Sequence, residues 1–316
     1  LLIVDNGKLM THYNFLLLGD YFFDMIYSGL EQMPVLGHET YTQNLIATGG
    51  AMYTTAVAMR RLGANVGWAT HFGNDYYSQY VRNLAITETL DLSLVRNLDH
   101  SYRRVTTALA LHGERAFVTF VDPEETDMND YWLQTMDQCT FRHLHFGGLV
   151  HPDDVKPFME KAHALGATVS MDCQDVPMLK ESYAWHEIVN TTDIFMPNAR
   201  EAMLLTGAGD VQSAIRQLGS WCDGRLVVVK DGANGAWAIH NGEIFHADAL
   251  PVTEVVDTTG AGDCFNAGFL HAYIVERQPM ELCLRYGNIC GGCSVQGMGG
   301  STTAPTYAQL KQLLDK

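Results

Sequence analysis

Seven consecutive residues carry the clearest chemistry in the chain: Asp257, Thr258, Thr259, Gly260, Ala261, Gly262 and Asp263. Phe265, Phe269, Leu270, Tyr273 and Ile274 follow at helical spacing, so a glycine-rich turn feeds directly into a helix N-terminus. The first turn of a helix carries unpaired N–H groups and the positive end of the aligned peptide dipoles. Gly260 and Gly262 let backbone approach a ligand closely and adopt angles closed to other residues. Together these features predict an anion cradle suited to a phosphate in transfer. Asp263 stands at the mouth of that cradle, where a carboxylate repels an anion. It makes sense there as a base that takes the proton from an attacking hydroxyl. It makes equal sense as an N-terminal helix cap, and the local pattern leaves both roles open.

The elements that must position this turn alternate between strand and helix. Phe15–Leu18, Val66–Thr70, His143–Phe146, Thr168–Asp172, Ile194–Met196 and Leu226–Lys230 read as short apolar strands. Ala51–Leu62, Asp75–Leu84, Asp153–Leu165, Asn198–Leu205 and Val211–Leu218 read as the helices among them. Such alternation predicts an α/β body, a mostly parallel sheet covered on both faces. Two stretches break the pattern. Tyr21–Thr48 is rich in aromatic and β-branched residues, and Val105–Val121 reads as a hairpin around residues 112–115. A small antiparallel sheet inserted into the body explains both. It would cover a site at the carboxyl ends of the parallel strands, where open α/β folds bind ligands.

Composition bounds the function from outside. The chain has 316 residues, 20 Lys plus Arg and 36 Asp plus Glu, a formal charge of −16. That balance disfavours a nucleic-acid binder, which needs a basic face, but leaves room for a small anionic ligand. No apolar run approaches the ~18 residues that span a bilayer, so no membrane role is expected. Seven scattered cysteines show no framework spacing and read as reduced thiols of a cytoplasmic protein. Cys290 and Cys293 form a C-x-x-C, but no second pair accompanies them, and they are expected to be core thiols. No secretory signal is visible. Residues 1–9 are set aside, with Met10 as the expected native start and residues 10–316 as one domain.

Asp-Thr-Thr-Gly-Ala-Gly-Asp leading into an apolar helix resembles the C-terminal signature of the ribokinase-like (PfkB) carbohydrate kinases. The resemblance runs from about Phe15 to Pro305. Gly19-Asp20 through Asp24 is similar to that family's opening strand with its sugar-binding aspartate. Gly49-Gly50, Ala56 and Leu62-Gly63 resemble its N-terminal signature, and Gly73-Asn74-Asp75 the turn that follows. Asn198 and Glu201 match its N-x-x-E, Gly232 and Gly235 its later glycines, and Gly299 and Pro305 its closing loop. The order of these matches favours the catalytic role for Asp263.

The resemblance implies a Rossmann-like α/β/α body with a β-sheet lid at about residues 21–48 and 105–121, ATP as donor, and Mg2+. It makes Asp263 the base and the N–H groups of Gly260, Ala261, Gly262 and Asp263 the anion hole. Asn198 and Glu201 would organise phosphates and Mg2+, Glu201 through water, although a helix cap with a first-turn acid has the same pattern. Lys230, Gly232, Gly235 and Asn288 fall where the family holds the nucleotide, with Lys230 replacing a common threonine. Asp257, Thr259, Ser294, Gly299 and Thr303 fall where some members bind a monovalent cation, which leaves K+ open.

On the acceptor side the resemblance points to Asp24, whose carboxylate can accept from two adjacent sugar hydroxyls. Gly49 and Gly50 would let backbone lie against the sugar. Thr54 stands in place of a frequent asparagine and lacks its paired donor and acceptor, which speaks against ribose-type recognition. Ser78 replaces a usual glycine. Arg103, Arg104 and Arg115 border the lid, either as surface residues or facing an acidic acceptor. The expected function is ATP-dependent phosphorylation of a hydroxymethyl group on a small sugar, with a homodimer through the lid edge left open. The alternative within the family is a nucleoside kinase, with Tyr21, Phe22, Phe23 or Tyr27 stacking the base. Outside it stands a non-catalytic nucleotide sensor. The third glycine of G-x-G-x-x-G and any G-x-x-x-x-G-K-[ST] are missing, which argues against a dehydrogenase and a P-loop NTPase.

Overall fold

Period-two alternation along the strands decides the layering. Phe15 and Leu17 pack into one hydrophobic cluster, while Leu16 and Leu18 pack into another. Leu226 and Val228 likewise separate from Val227 and Val229. A strand apolar on both sides must be covered on both faces, which is the condition of a parallel sheet between helical layers. The computed structural model describes residues 2–5, 8–111, 114–148, 152–173, 187, 189–190 and 192–315. Its strands in chain order are β1 Leu2–Asp5, β2 Lys8–Leu18, β3 Tyr21–Ser28, β4 Asn44–Ala51, β5 Val66–Ala69, β6 His71–Phe72, β7 Arg96–Asn97, β8 Arg104–Leu111, β9 Glu114–Val121, β10 Cys139–Phe146, β11 Thr168–Asp172, β12 Ile194–Met196, β13 Leu226–Lys230, β14 Ala236–His240 and β15 Glu243–Ala247.

Among the described residues, nine strands form one sheet in the order β1-β2-β10-β11-β12-β13-β14-β15, with β5 also on β2. β5, β2, β10, β11, β12 and β13 pair in parallel, and β14 and β15 close the edge antiparallel. Helices Met52–Arg61, Ala261–Leu270 and Met280–Ser294 cover one face. Helices Met128–Met136, Ala199–Thr206 and Val211–Trp221 cover the other. Consequently Leu18, Asp172, Met196 and Lys230 end their parallel strands on one rim.

Two expectations need correction. The first parallel strand, β2, begins at Lys8 rather than Phe15, and residues set aside as outside the fold pair with it, Leu2 opposite Thr11. An antiparallel edge needs no continuous apolar run, so the apolar-run criterion passed over it. The inserted sheet, ordered β4-β3-β8-β9, is not antiparallel throughout. β3 and β4 pair antiparallel, as do β8 and β9, but β3 and β8 run parallel. The chain between β3 and β8 passes through the body, a crossover long enough to permit parallel pairing. Edge strand β9 exposes Phe117, Val118 and Phe120.

All seven cysteines are free thiols. Burial pushes the Cys290 thiol well up, and no group of His, Cys, Asp and Glu among the described residues could hold a metal ion. No described helix is long and apolar enough to cross a membrane.

Candidate active site

The glycine turn builds the helix start. Gly260 has φ 69°, in the left-handed region, and caps the helix Ala261–Leu270. Its carbonyl accepts from the Cys264 N–H at 2.9 Å. Asp263 therefore lies inside the first turn, three residues past the cap, and its side chain does not cap the helix. Its Oδ1 instead accepts from the Thr55 hydroxyl at 3.2 Å. Burial, then the charge of Asp172 and more weakly that of Asp24, push its carboxyl up to about 7 against the pull of Lys230 and Thr55. A carboxylate so placed is poised to exchange a proton near neutral pH.

Asp24 projects from β3, whose register sets it opposite Thr48 of β4 and Thr106 of β8. It is 8% exposed. Burial, reinforced by Asp257, raises its carboxyl to about 7. Gly50 admits it: a Cβ there would stand 2.0 Å from Asp24 Oδ2. Gly49 backs onto the Tyr53 ring, which a Cβ would meet at 2.4 Å. Thr54 lies against the glycine turn itself. Cβ atoms built at Gly260 and Gly300 would each come within 2.9 Å of it.

The nucleotide-side residues gather around a cavity of about 1120 Å³, of a size that suits a nucleotide. Gly260, Ala261, Gly262 and Asp263 line it, with Asn198, Lys230, Gly232, Gly235 and Asn288. Leu250, Pro251, Val252 and Val255 supply an apolar wall. Asn198 and Glu201 form a reciprocal capping box, Asn198 Oδ1 accepting at 2.9 Å and Glu201 Oε2 at 2.8 Å. Asn288 donates to the carbonyls of Ala247 and Asp248 at 2.9 and 3.0 Å, and so holds one wall of the cavity. Lys230 Nζ sits 2.6 Å from Asp172 Oδ1.

Asp257 organises the start of the turn. Its Oδ1 accepts from Thr259 N and Oγ1 at 2.9 and 2.7 Å, and its Oδ2 from Gly299 N at 2.9 Å. Arg115 of β9 pairs with Asp257 and donates to the hydroxyls of Thr258 and Thr259. The Ser294 and Thr303 hydroxyls are donated to backbone carbonyls. Arg103 and Arg104 are likewise engaged, with Asp122 and Asp20.

A family model of pfkB carbohydrate kinases matches residues 37–307. This chain belongs to that family. It is an ATP-dependent kinase of a sugar or nucleoside. Fructokinase of Klebsiella pneumoniae is 29% identical over 288 residues, 84% of this chain and 91% of that protein. Cytidine kinase of Thermococcus kodakarensis is 32% identical over 251 residues, 76% and 84% of the two chains. The structure of Arabidopsis thaliana ribokinase complexed with ribose and ATP overlays with a TM-score of 0.76 at 20% identity, covering 97% of this chain and 100% of that one.

Three residues at the site of the kinase escape the sequence reading, and a fourth is placed without its partner. Thr55 neighbours the candidate Thr54, yet it is Thr55 whose hydroxyl reaches Asp263. Asp172 ends β11 on the ligand-binding rim, a position that marks it without any motif. Asn266 lies three residues after Asp263 on the same helix face. Arg115 is placed at the lid border, but its partner is not, because only the fold of β9 brings it to the Asp257 turn.

Proposed function

We propose that the kinase transfers the γ-phosphoryl of ATP to the hydroxymethyl group of a small sugar or sugar derivative, with Asp263 as the base. The observation that carries this reading is the position of Asp263. It is half-buried inside the first turn of a helix, bordering the nucleotide cavity, and its carboxyl is raised to about 7. The acceptor O–H gives its proton to an Asp263 carboxylate oxygen as its oxygen forms the new bond to the γ-phosphorus. The bond from that phosphorus to the bridging oxygen breaks, and ADP departs with the electron pair. The Gly260–Asp263 N–H groups meet the charge spread over the phosphoryl oxygens. Asp24 accepts hydrogen bonds from acceptor hydroxyls.

Mg2+ suits this site as an ion carried largely by nucleotide oxygens and water, since no carboxylate cluster among the described residues cages it. Bound so, it would neutralise phosphate charge, with Asn198 on the cavity wall and Glu201 beside it at the start of helix Ala199–Thr206. K+ fits poorly. The Arg115 guanidinium already pairs with Asp257 and would compete with a monovalent cation there, while the Ser294 and Thr303 hydroxyls donate to carbonyls and keep their oxygen lone pairs.

Of the four aromatics that could stack a base, Phe22 and Tyr27 are half-buried, and the other two are committed elsewhere. Tyr21 is fully buried and stacks on Phe72, and Phe23 packs edge-on against Tyr77 and Tyr80. Neither offers a free face to a base. A turnover panel with ATP and Mg2+ tests the reading across ribose, fructose, 2-keto-3-deoxygluconate, adenosine and cytidine. A sugar is expected to be phosphorylated at least ~10-fold faster, as kcat/KM, than either nucleoside. Preference for a nucleoside would overturn the acceptor assignment.

A further inference from the structure

Lys230 does not simply end β13. Its Nζ lies 2.6 Å from Asp172 Oδ1 and 3.4 Å from Asn266 Oδ1. Asn266 closes the triangle by donating from Nδ2 to Asp172 Oδ2 at 2.6 Å. The Cys173 N–H also donates to Asp172 Oδ1 at 2.6 Å. Asn266 is fully buried and the two charged side chains are nearly so. A Cβ built at Gly262 would stand 3.5 Å from Lys230 Nζ, so no side chain separates the ammonium from the glycine turn. Lysine is a point charge on a flexible four-carbon stem. Untethered beside Asp263, it would settle on that carboxylate and hold it ionised but occupied. Here Asp172 takes the ammonium instead, while a third N–H remains for a phosphoryl oxygen.

Resting on the reaction proposed above, we propose that Asp172 and Asn266 are positioning residues that hold Lys230 over the glycine turn, where its ammonium meets the phosphoryl group in transfer. Their work is done through Lys230. The pair also sets the field at the base. Asp172, Lys230 and Asp24 are the charged groups that face Asp263. Asp257 lies beyond Asp24. His145 on β10 feels both Asp172 and Lys230, and the Cys264 thiol beside Asp263 is pushed up by burial. Asp172 raises the Asp263 carboxyl and Lys230 lowers it. Removing either partner should therefore move the base in opposite directions.

The experiment is a double-mutant cycle on the full chain with Asp172→Asn, Lys230→Met and the double variant, read as kcat, acceptor KM and the pH profile of kcat/KM. Thermal midpoints set an assay temperature at which all three are folded. Neutralising both partners together leaves no unpaired buried charge, so the double variant reports even if a single one is unstable. Lys230→Met is expected to lower kcat roughly 10²-fold, and Asp172→Asn roughly 10-fold, with acceptor KM little changed. The double variant should be no worse than Lys230→Met. The acid limb should move down in Asp172→Asn and up in Lys230→Met. Losses that add in the double variant, wild-type kcat in Asp172→Asn, or limbs that do not diverge would overturn the proposal. Loss of transfer in Asp263→Asn alongside any of these leaves the base assignment standing. Retained transfer in Asp263→Asn overturns the base assignment instead.

Discussion

Asp263→Asn is expected to lower turnover by roughly 10³-fold while nucleotide affinity stays within a few-fold of wild type. The substitution is isosteric and keeps the Thr55 contact available, so the turn and the helix behind it should survive. What it removes is the group able to take a proton at neutral pH. In the proposed reaction ATP is held by the cavity wall, the glycine turn and Lys230, none of which the substitution alters. Stability supplies an independent check. The Asp263 carboxyl is raised from 3.8 to about 7 in the folded protein. Its contribution is therefore fully present below the unfolded value and is lost as pH rises through about 7. Relative to wild type, Asp263→Asn should gain thermal stability as pH rises from about 3.8 through about 7, and show no such gain in acid, where both side chains are neutral. Turnover assays and thermal melts over the same pH range read both effects. Unchanged turnover would contradict the role assigned to Asp263.

Gly50→Ala is the second large effect, and it acts on the acceptor alone. The added Cβ would stand 2.0 Å from Asp24 Oδ2, closer than any real contact. Backbone on paired strands β3 and β4 is held by its ladder, so the carboxyl end of Asp24 must give way. Displacing a substrate-positioning group by about 1 Å costs up to roughly 10² in rate. We expect kcat/KM for the acceptor to fall by about that factor while KM for ATP holds. A fall in ATP affinity with acceptor KM unchanged would place Asp24 on the wrong side of the reaction.

The parallel body was legible because its strands are apolar on both sides and short. Phe15–Leu18 and Leu226–Lys230 announce two packed faces without any motif. The Asp257–Asp263 turn was legible because glycines before an apolar helix have few other uses. Registers and long-range partners were not. Whether Thr54 or Thr55 reaches Asp263 depends on the rotation of helix Met52–Arg61 against the turn, which local pattern does not encode. Tyr21 and Phe23 looked able to stack a base, but alternation on β3 sends both inward. Arg115 and Asp257 lie far apart in sequence, and only the parallel β3–β8 pairing carries β9 over the turn. The capping box at Asn198 and Glu201 fits the N-x-x-E spacing as well as a phosphate site does. Spacing alone could not separate the two.

The proton itself offers the most direct test. Single-turnover phosphoryl transfer, followed from about pH 5 to about pH 9 in wild type and in Asp263→Asn, reports whether ionisation of this carboxyl gates the reaction. Asp24 titrates in the same range, so the wild-type limb belongs to the pair and the variant isolates the Asp263 share. The wild-type rate should rise with pH through about 7 and level off above it. In Asp263→Asn the residual rate should be low and the rise reduced to the share that belongs to Asp24. A limb of undiminished slope in Asp263→Asn, with transfer within tenfold of wild type (~1.4 kcal/mol), would show that another group takes the proton.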